Sequence, residues 1–254
     1  MSVHYLHVKG RYGNQLFPYM VGRIISYYLK FKYFNHTIHH PDFMLHDITD
    51  DLNNNSYMSY DSPVQLLGNH NNETPDFNIF DIINDMTPRK IELNGYFQRK
   101  KFVLPFKKLI KEIYNLKKIP TKKTDLAIHI RAGDLYIPNL SNNLLPVEYY
   151  EQAIAMVPHE NITVCTDGPD QQLPSYIIKK YNCKVFNSNE RDTLTFLASH
   201  NNLILSQGSF SFWAGFFCDG TVINAIPKTG WNSEQNKNDI DLLIEDDNYK
   251  YIKL

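Results

Sequence analysis

The sequence predicts an α/β fold whose C-terminal part is a Rossmann-like parallel sheet covered by helices, preceded by a second α/β region. Three observations carry this. From Leu126 to Ala225, short continuous apolar runs alternate four or five times with helical periodicities, as strands buried on both faces do. A polar, proline-marked connector, Lys117–Asp125, stands before that alternation, and the chain opens on a strand–turn–helix pattern. The expected regions are residues 1–120 and 121–254, and 254 residues suffice for two small domains or one large one.

In the first region, "VHYLHVKG" alternates like a strand and breaks at Gly10. "RYGNQ" makes a tight turn, and Leu16, Met20, Ile24 and Tyr27/Tyr28 then recur at helical spacing. Pro18 belongs near a helix start, which puts that start within a turn of Asn14, a good capping residue. Asn35–Pro88 is weakly patterned and dense in Asn, Asp and His, so irregular segments are expected. "KIELNGYFQ" reads as a strand ending at Gly95. Leu104–Lys118 reads as a basic amphipathic helix, with Phe106, Ile110, Ile113 and Leu116 on one side and a solvated lysine face. Past the connector, strands are expected at "LAIHI", "ITVCTD", "CKVF", "NLILS" and, as the last, "TVINA". The helices between them are "PVEYYEQAIAMV", "PDQQLPSYIIKKY", "ERDTLTFLAS" and "SFSFWAGFF".

Composition narrows the function. A net charge of -1 leaves no global field for nucleic acid or an anionic membrane, so any bound anion must be held by local groups. No apolar run approaches the roughly 20 residues of a membrane helix. Met1–Lys9 lacks the pattern of a secretory signal, so a cytoplasmic chain without stable membrane insertion is expected. Cys165, Cys183 and Cys218 are odd in number and far apart, which fits buried thiols. Asn72-Glu73-Thr74 reads as a chance triplet in an Asn-rich chain. His36–His40 reads as a solvated loop, since no carboxylate or cysteine set accompanies it.

Ligands of such sheets bind beyond the carboxyl ends of the strands. Four polar clusters fall there: Gly10–Gln15, His129–Asp134, Thr166–Asp170 and Ser206–Ser211. Arg131, with Gly133 to tighten the turn, offers a planar fork of donors for phosphate; alternatively it pairs with Asp134 to close the turn. His129 is a ligand contact or a core histidine. Ser209 and Ser211, at a helix start, would put hydroxyls and N–H groups where the dipole favours an anion, and capping by Ser209 is compatible with that. "GRYGNQ" is neither a dinucleotide fingerprint nor a P-loop, which argues against NAD binding and ATP hydrolysis. Asn14 and Gln15 face a ligand there, or Asn14 is only a cap.

Taken in order, these clusters resemble the α-1,2-fucosyltransferases, glycosyltransferase family 11, and the wider HxRRGD superfamily. "GRYGNQLFPYMVGR" is similar to the family's G-x-x-G-N-Q-[LM]-F-x-Y-x-x-G-R, and "NGYFQ" to its G-Y-F-Q segment. "HIRAGD" resembles H-x-R-R-G-D, and "LPVEYYEQAI" the segment that follows it. "ITVCTDGPD" and "RDTLTFLASHNNLILSQGSFSFWAG" resemble the two later blocks, so the likeness spans nearly the whole chain.

The resemblance implies a two-lobed GT-B-like fold, with residues 1–120 on the acceptor side and 121–254 binding a nucleotide sugar. It implies transfer of L-fucose, with inversion, from GDP-fucose to a glycan hydroxyl, galactose O-2, with no cofactor and no obligatory metal. Arg131 would hold the diphosphate; His129 and Asp192 would lie near the guanine. Ser209, Phe210 and Ser211 would contact the donor, the serines at its phosphates, and Asn14 with Gly13 would approach the sugar. Asp134 is a candidate general base or the brace of Arg131. The chain departs from the pattern at Ala132, where the family has its second arginine, at Gln207-Gly208 in place of Asn-Ser, and at Phe212 in place of the first tryptophan. These departures keep two alternatives open: a related enzyme using another nucleotide sugar, and a non-catalytic glycan-binding protein.

Overall fold

The computed structural model describes residues 2–5, 10–35, 64–68, 77–236 and 240–254. The chain divides into two compact units, Met1–Tyr114 and Asn115–Leu254.

In the first unit, the described residues form a parallel sheet of β1 (Ser2–Tyr5), β2 (Lys32–Asn35), β3 (Val64–Gly68) and β4 (Lys90–Gly95), in the order β2-β1-β4-β3. Helix α1 (Tyr12–Leu29) buries Leu16, Phe17, Met20, Val21 and Ile24. Two expectations fail here. Arg11, in extended conformation, occupies the cap position, and Asn14 lies inside the helix. Pro18 also lies well inside the helix and removes the backbone bond toward Asn14, a cost set against the burial of Phe17, Pro18 and Met20.

The stretch expected to be irregular contains β3 and the short helix α2 (Ile79–Asn84), whose cap Asn78 accepts from the Phe80 N–H at 3.1 Å. Both are too short for periodicity to register. His36–His40, the Asn72–Thr74 triplet and the Asn-rich runs around them lie outside the described residues. Helix α3 covers only Lys107–Tyr114, after a single tight turn at Leu104–Phe106, and the chain buries Phe106, Ile110 and Tyr114 there. Leu116 falls beyond its end.

The second unit is an α/β alternation of the kind the sequence predicts. Strands β5 (Asp125–Ile130), β6 (Asn161–Thr166), β7 (Lys184–Phe186), β8 (Asn202–Ile204) and β9 (Thr221–Ile226) alternate with α4 (Val147–Ala155), α5 (Gln172–Lys180), α6 (Glu190–Ala198) and α7 (Ser209–Phe217). TVINA is not the last strand, however. β10 (Tyr249–Lys253) pairs parallel with β9, Tyr249 opposite Val222 and Lys253 opposite Ile226. Only Ile252 of β10 is fully buried, so it reads as a polar edge strand and not as an apolar run.

The sheet order is β10-β9-β8-β5-β6-β7, all parallel. Chain order runs outward from β5 to one side through β6 and β7, and to the other through β8, β9 and β10. This Rossmann-type order reverses between β5 and β8, where such sheets open a crevice at their carboxyl ends. Beneath the crevice, Leu126, Ile128, Ile130, Tyr149, Val164 and Ile204 pack into one apolar cluster. The Tyr149 hydroxyl donates to the Leu205 carbonyl at 2.7 Å and so ties α4 to the end of β8. All three cysteines are thiols; Cys165 and Cys218 are buried, and burial pushes Cys165 up to about 12. Among the described residues, no helix is long and apolar enough to cross a membrane.

Candidate functional site

The carboxyl ends of β5 and β8 bring together two of the four polar clusters. The residues after β5 and those after β8 become neighbours because these strands are adjacent. His129, near the end of β5, turns its Nδ1 to the Ser211 hydroxyl at 2.7 Å and to the Ser206 hydroxyl at 3.0 Å. The two serine oxygens are 3.0 Å apart, which closes a triangle. The Arg131 N–H donates to Ser206 Oγ at 3.2 Å, so the same hydroxyl joins the backbone after β5 to the one after β8. Burial pulls the His129 imidazole down to about 4, with the Arg131 charge adding to that and Asp167 opposing it. At neutral pH it is uncharged and acts by hydrogen bonding.

Arg131 lies beside this triangle. Its Nη2 donates to both oxygens of Asp134, at 3.1 and 3.0 Å. Its guanidinium carbon stands 4.8 Å from the centre of the Trp231 ring. Its Nε is buried without a hydrogen-bond partner. The turn after β8 brings Gly208 alongside, at φ +102°, and a Cβ there would lie 3.9 Å from Arg131 Nη1. Gly208, not Ser209, caps α7. Ser209 and Ser211 stand in the first turn, buried, where the N–H groups of any helix lack partners within it. Phe210 sets its ring 5.2 Å from that of His129.

The third cluster serves the second. Asp167, just past β6, accepts the N–H groups of both Ala132 and Gly133 on Oδ1, each at 2.8 Å. This fixes the turn that carries Arg131 and Asp134. Ala132 itself is fully buried and belongs to the apolar cluster under the sheet. On this backbone, position 132 points into the core. Asp192 lies elsewhere, in the first turn of α6, where its carboxylate accepts from Ser188 Oγ at 3.1 Å and Asn189 Nδ2 at 3.0 Å.

In the first unit, Asn14 Oδ1 accepts from Gln98 Nε2 at 2.7 Å. This bond joins the turn after β1 to the Gly95–Gln98 segment after β4, two segments the sequence left separate. Gly13 is buried in the first turn of α1. Gln15 donates to the Gly10 carbonyl at 2.8 Å.

Sequence reading missed the segment after β9. Asn143 Oδ1 accepts from the Trp231 N–H at 2.9 Å, Gln207 Oε1 accepts from the Asn232 N–H at 3.1 Å, and Trp231 covers Arg131. The available signal was "KTGWNS", a further polar cluster just past a strand.

No curated protein matches the chain. The model of the family described as glycosyl transferase family 11 matches residues 67–251, a span that takes in Gly95–Gln98, the Arg131 turn, Asp192, the start of α7 and Trp231. With most of its length matched, the chain belongs to glycosyl transferase family 11, the family of the fucosyltransferases.

Proposed function

We propose that the protein transfers L-fucose from GDP-fucose to a glycan hydroxyl, galactose O-2, with inversion at the sugar carbon. The observation that carries the reading is the closeness of the Arg131 guanidinium to the turn that starts the serine-bearing helix α7. Inverting transfer forms a bond from the acceptor oxygen to the sugar carbon and breaks the one to the diphosphate, while the acceptor's proton passes to water. The leaving GDP gathers negative charge as its bond breaks. A guanidinium and helix N–H donors, fixed beforehand in a partly dry crevice, stabilise that charge more than the ground state. No metal ion is needed in this scheme.

The second unit would hold the donor, with Arg131 on the diphosphate, Ser209 and Ser211 at the phosphates, and His129, Phe210 and Asp192 toward the base. Neutral His129 would orient the Ser206 and Ser211 hydroxyls without adding charge. Asp134 serves as the brace of Arg131. The protein acts in the cytoplasm on this reading.

The test is transfer from labelled GDP-fucose to galactose-terminated oligosaccharides, with the linkage read by NMR, alongside GDP calorimetry. Transfer should fall more than about 100-fold in Arg131→Ala, the loss typical of a removed charge-stabilising donor. Absent GDP binding at millimolar concentration, or unchanged binding in Arg131→Ala, overturns the reading. The Gln207-Gly208 pair favours a second one, a different nucleotide sugar, because these residues shape the turn beside Arg131. Transfer from another donor with GDP-fucose inert would establish it.

A further inference from the structure

We propose that Trp231 is a positioning residue for Arg131, holding the guanidinium in the plane from which it meets the donor. The inference rests on the donor reading above and adds to it a residue from a segment outside the recognised motifs. The Arg131 guanidinium carbon stands over the Trp231 ring, 4.8 Å from its centre, while Asp134 takes Nη2. Two contacts thus hold the guanidinium.

The backbone that carries the ring is itself held by two side chains. Asn143 Oδ1 accepts the Trp231 N–H at 2.9 Å, and Gln207 Oε1 accepts the next N–H, of Asn232, at 3.1 Å. Asn232 Oδ1 in turn faces the Gly208 N–H at 3.4 Å. Gly230, at φ +93°, lets the segment come this close, since a Cβ there would stand 2.8 Å from Gln207 Oε1 and 2.9 Å from Asn143 Oδ1. The ring packs on the turn at Gly208, where a Cβ would stand at ordinary contact distance, 3.4 Å from Trp231 Cε3. Ring, guanidinium and the turn that begins α7 therefore form one packed unit.

An unsupported arginine has several free torsions, and ordering them on binding costs affinity. A side chain only 15% exposed gains more from an aromatic face than one in open water. Gln207, which departs from the family pattern, becomes part of the device that places the ring.

The experiment is a double-mutant cycle read by GDP calorimetry, with the Arg131 side-chain protons followed by NMR. Trp231→Leu should weaken GDP binding about 3- to 30-fold, the range of one partly buried cation–π contact, whereas Trp231→Phe should stay close to wild type. In an Arg131→Gln background, Trp231→Leu should change GDP affinity less than about twofold, because the two residues act through one another. Equal losses in both backgrounds, or no loss in either, overturn the proposal.

Ring-current-shifted Arg131 Cδ protons should be present in wild type and in Trp231→Phe, and absent in Trp231→Leu. Unshifted protons in wild type overturn it as well. That spectrum needs no ligand, so a chain that fails to bind GDP removes the donor reading while the stacking is still decided. Trp231→Phe keeps the test valid if the leucine variant loses its fold.

Discussion

Nη2 of Arg131 donates to both carboxylate oxygens of Asp134, at 3.1 and 3.0 Å, with the arginine at the end of β5 and the aspartate in the turn that follows. The two roles considered for Asp134 make different demands. A base must offer its carboxylate to the acceptor, whereas a brace spends it on the arginine. Asp134→Asn should therefore lower kcat/KM by roughly tenfold or less, mainly through donor KM. Loss of a general base would cost 10²–10⁴ in kcat, about the usual range for that role. Steady-state kinetics at saturating acceptor separate the two.

Asp167 holds the same turn from beneath through the Ala132 and Gly133 N–H groups. Its side chain is exposed, so solvent replaces part of what is lost on removal. Asp167→Ala should destabilise the chain by roughly 1–2 kcal/mol in urea unfolding. Gly133→Ala would set a Cβ 2.6 Å from Asp167 Oδ2. It should cost less in the Asp167→Ala background than in wild type, because the clash is then gone.

His129 gives the chain a pH dependence whose sign follows from its depressed pKa. Below about pH 6.5 the unfolded chain takes up a proton that the folded chain refuses until about pH 4. Stability from this group is complete above pH 6.5 and drains away as pH falls through that window, by up to about 3 kcal/mol. Burial lowers His200 as well, so the measurement is the difference between wild type and His129→Asn. Urea unfolding at pH 7, 5.5 and 4.5 should show wild type losing ground against the variant; parallel curves refute the assignment.

Ala132→Arg would restore the family's arginine pair in letters only. Position 132 is fully buried in the apolar cluster with Ile130, Leu145 and Tyr150. A guanidinium directed there has no partner and no room, at a cost of roughly 3 kcal/mol or more. The melting temperature should fall with no gain in GDP affinity. Tighter GDP binding at unchanged stability would show that the side chain reaches the crevice.

The sequence by itself determined the elements and the chemistry they carry. Apolar runs of strand length alternating with helical periodicity are local signals, and they named every strand and α-helix from Leu126 to Ala225, though not the short turns of helix at Gly133–Tyr136 and Ser141–Asn143. The Arg131–Asp134 pairing was legible for the same reason, since both residues sit in one turn. The edge strand β10 and the short elements β3 and α2 escaped because a half-buried or six-residue segment leaves no continuous pattern.

Tertiary structure decided which polar clusters meet. Strand order is set by how helices pack on the sheet, and placing β8 beside β5 is what gives His129 its two serines. The outward course to β9 delivers Trp231 to Arg131. The burial of Ala132 was also hidden, because a turn has no periodicity from which to read the direction of a side chain.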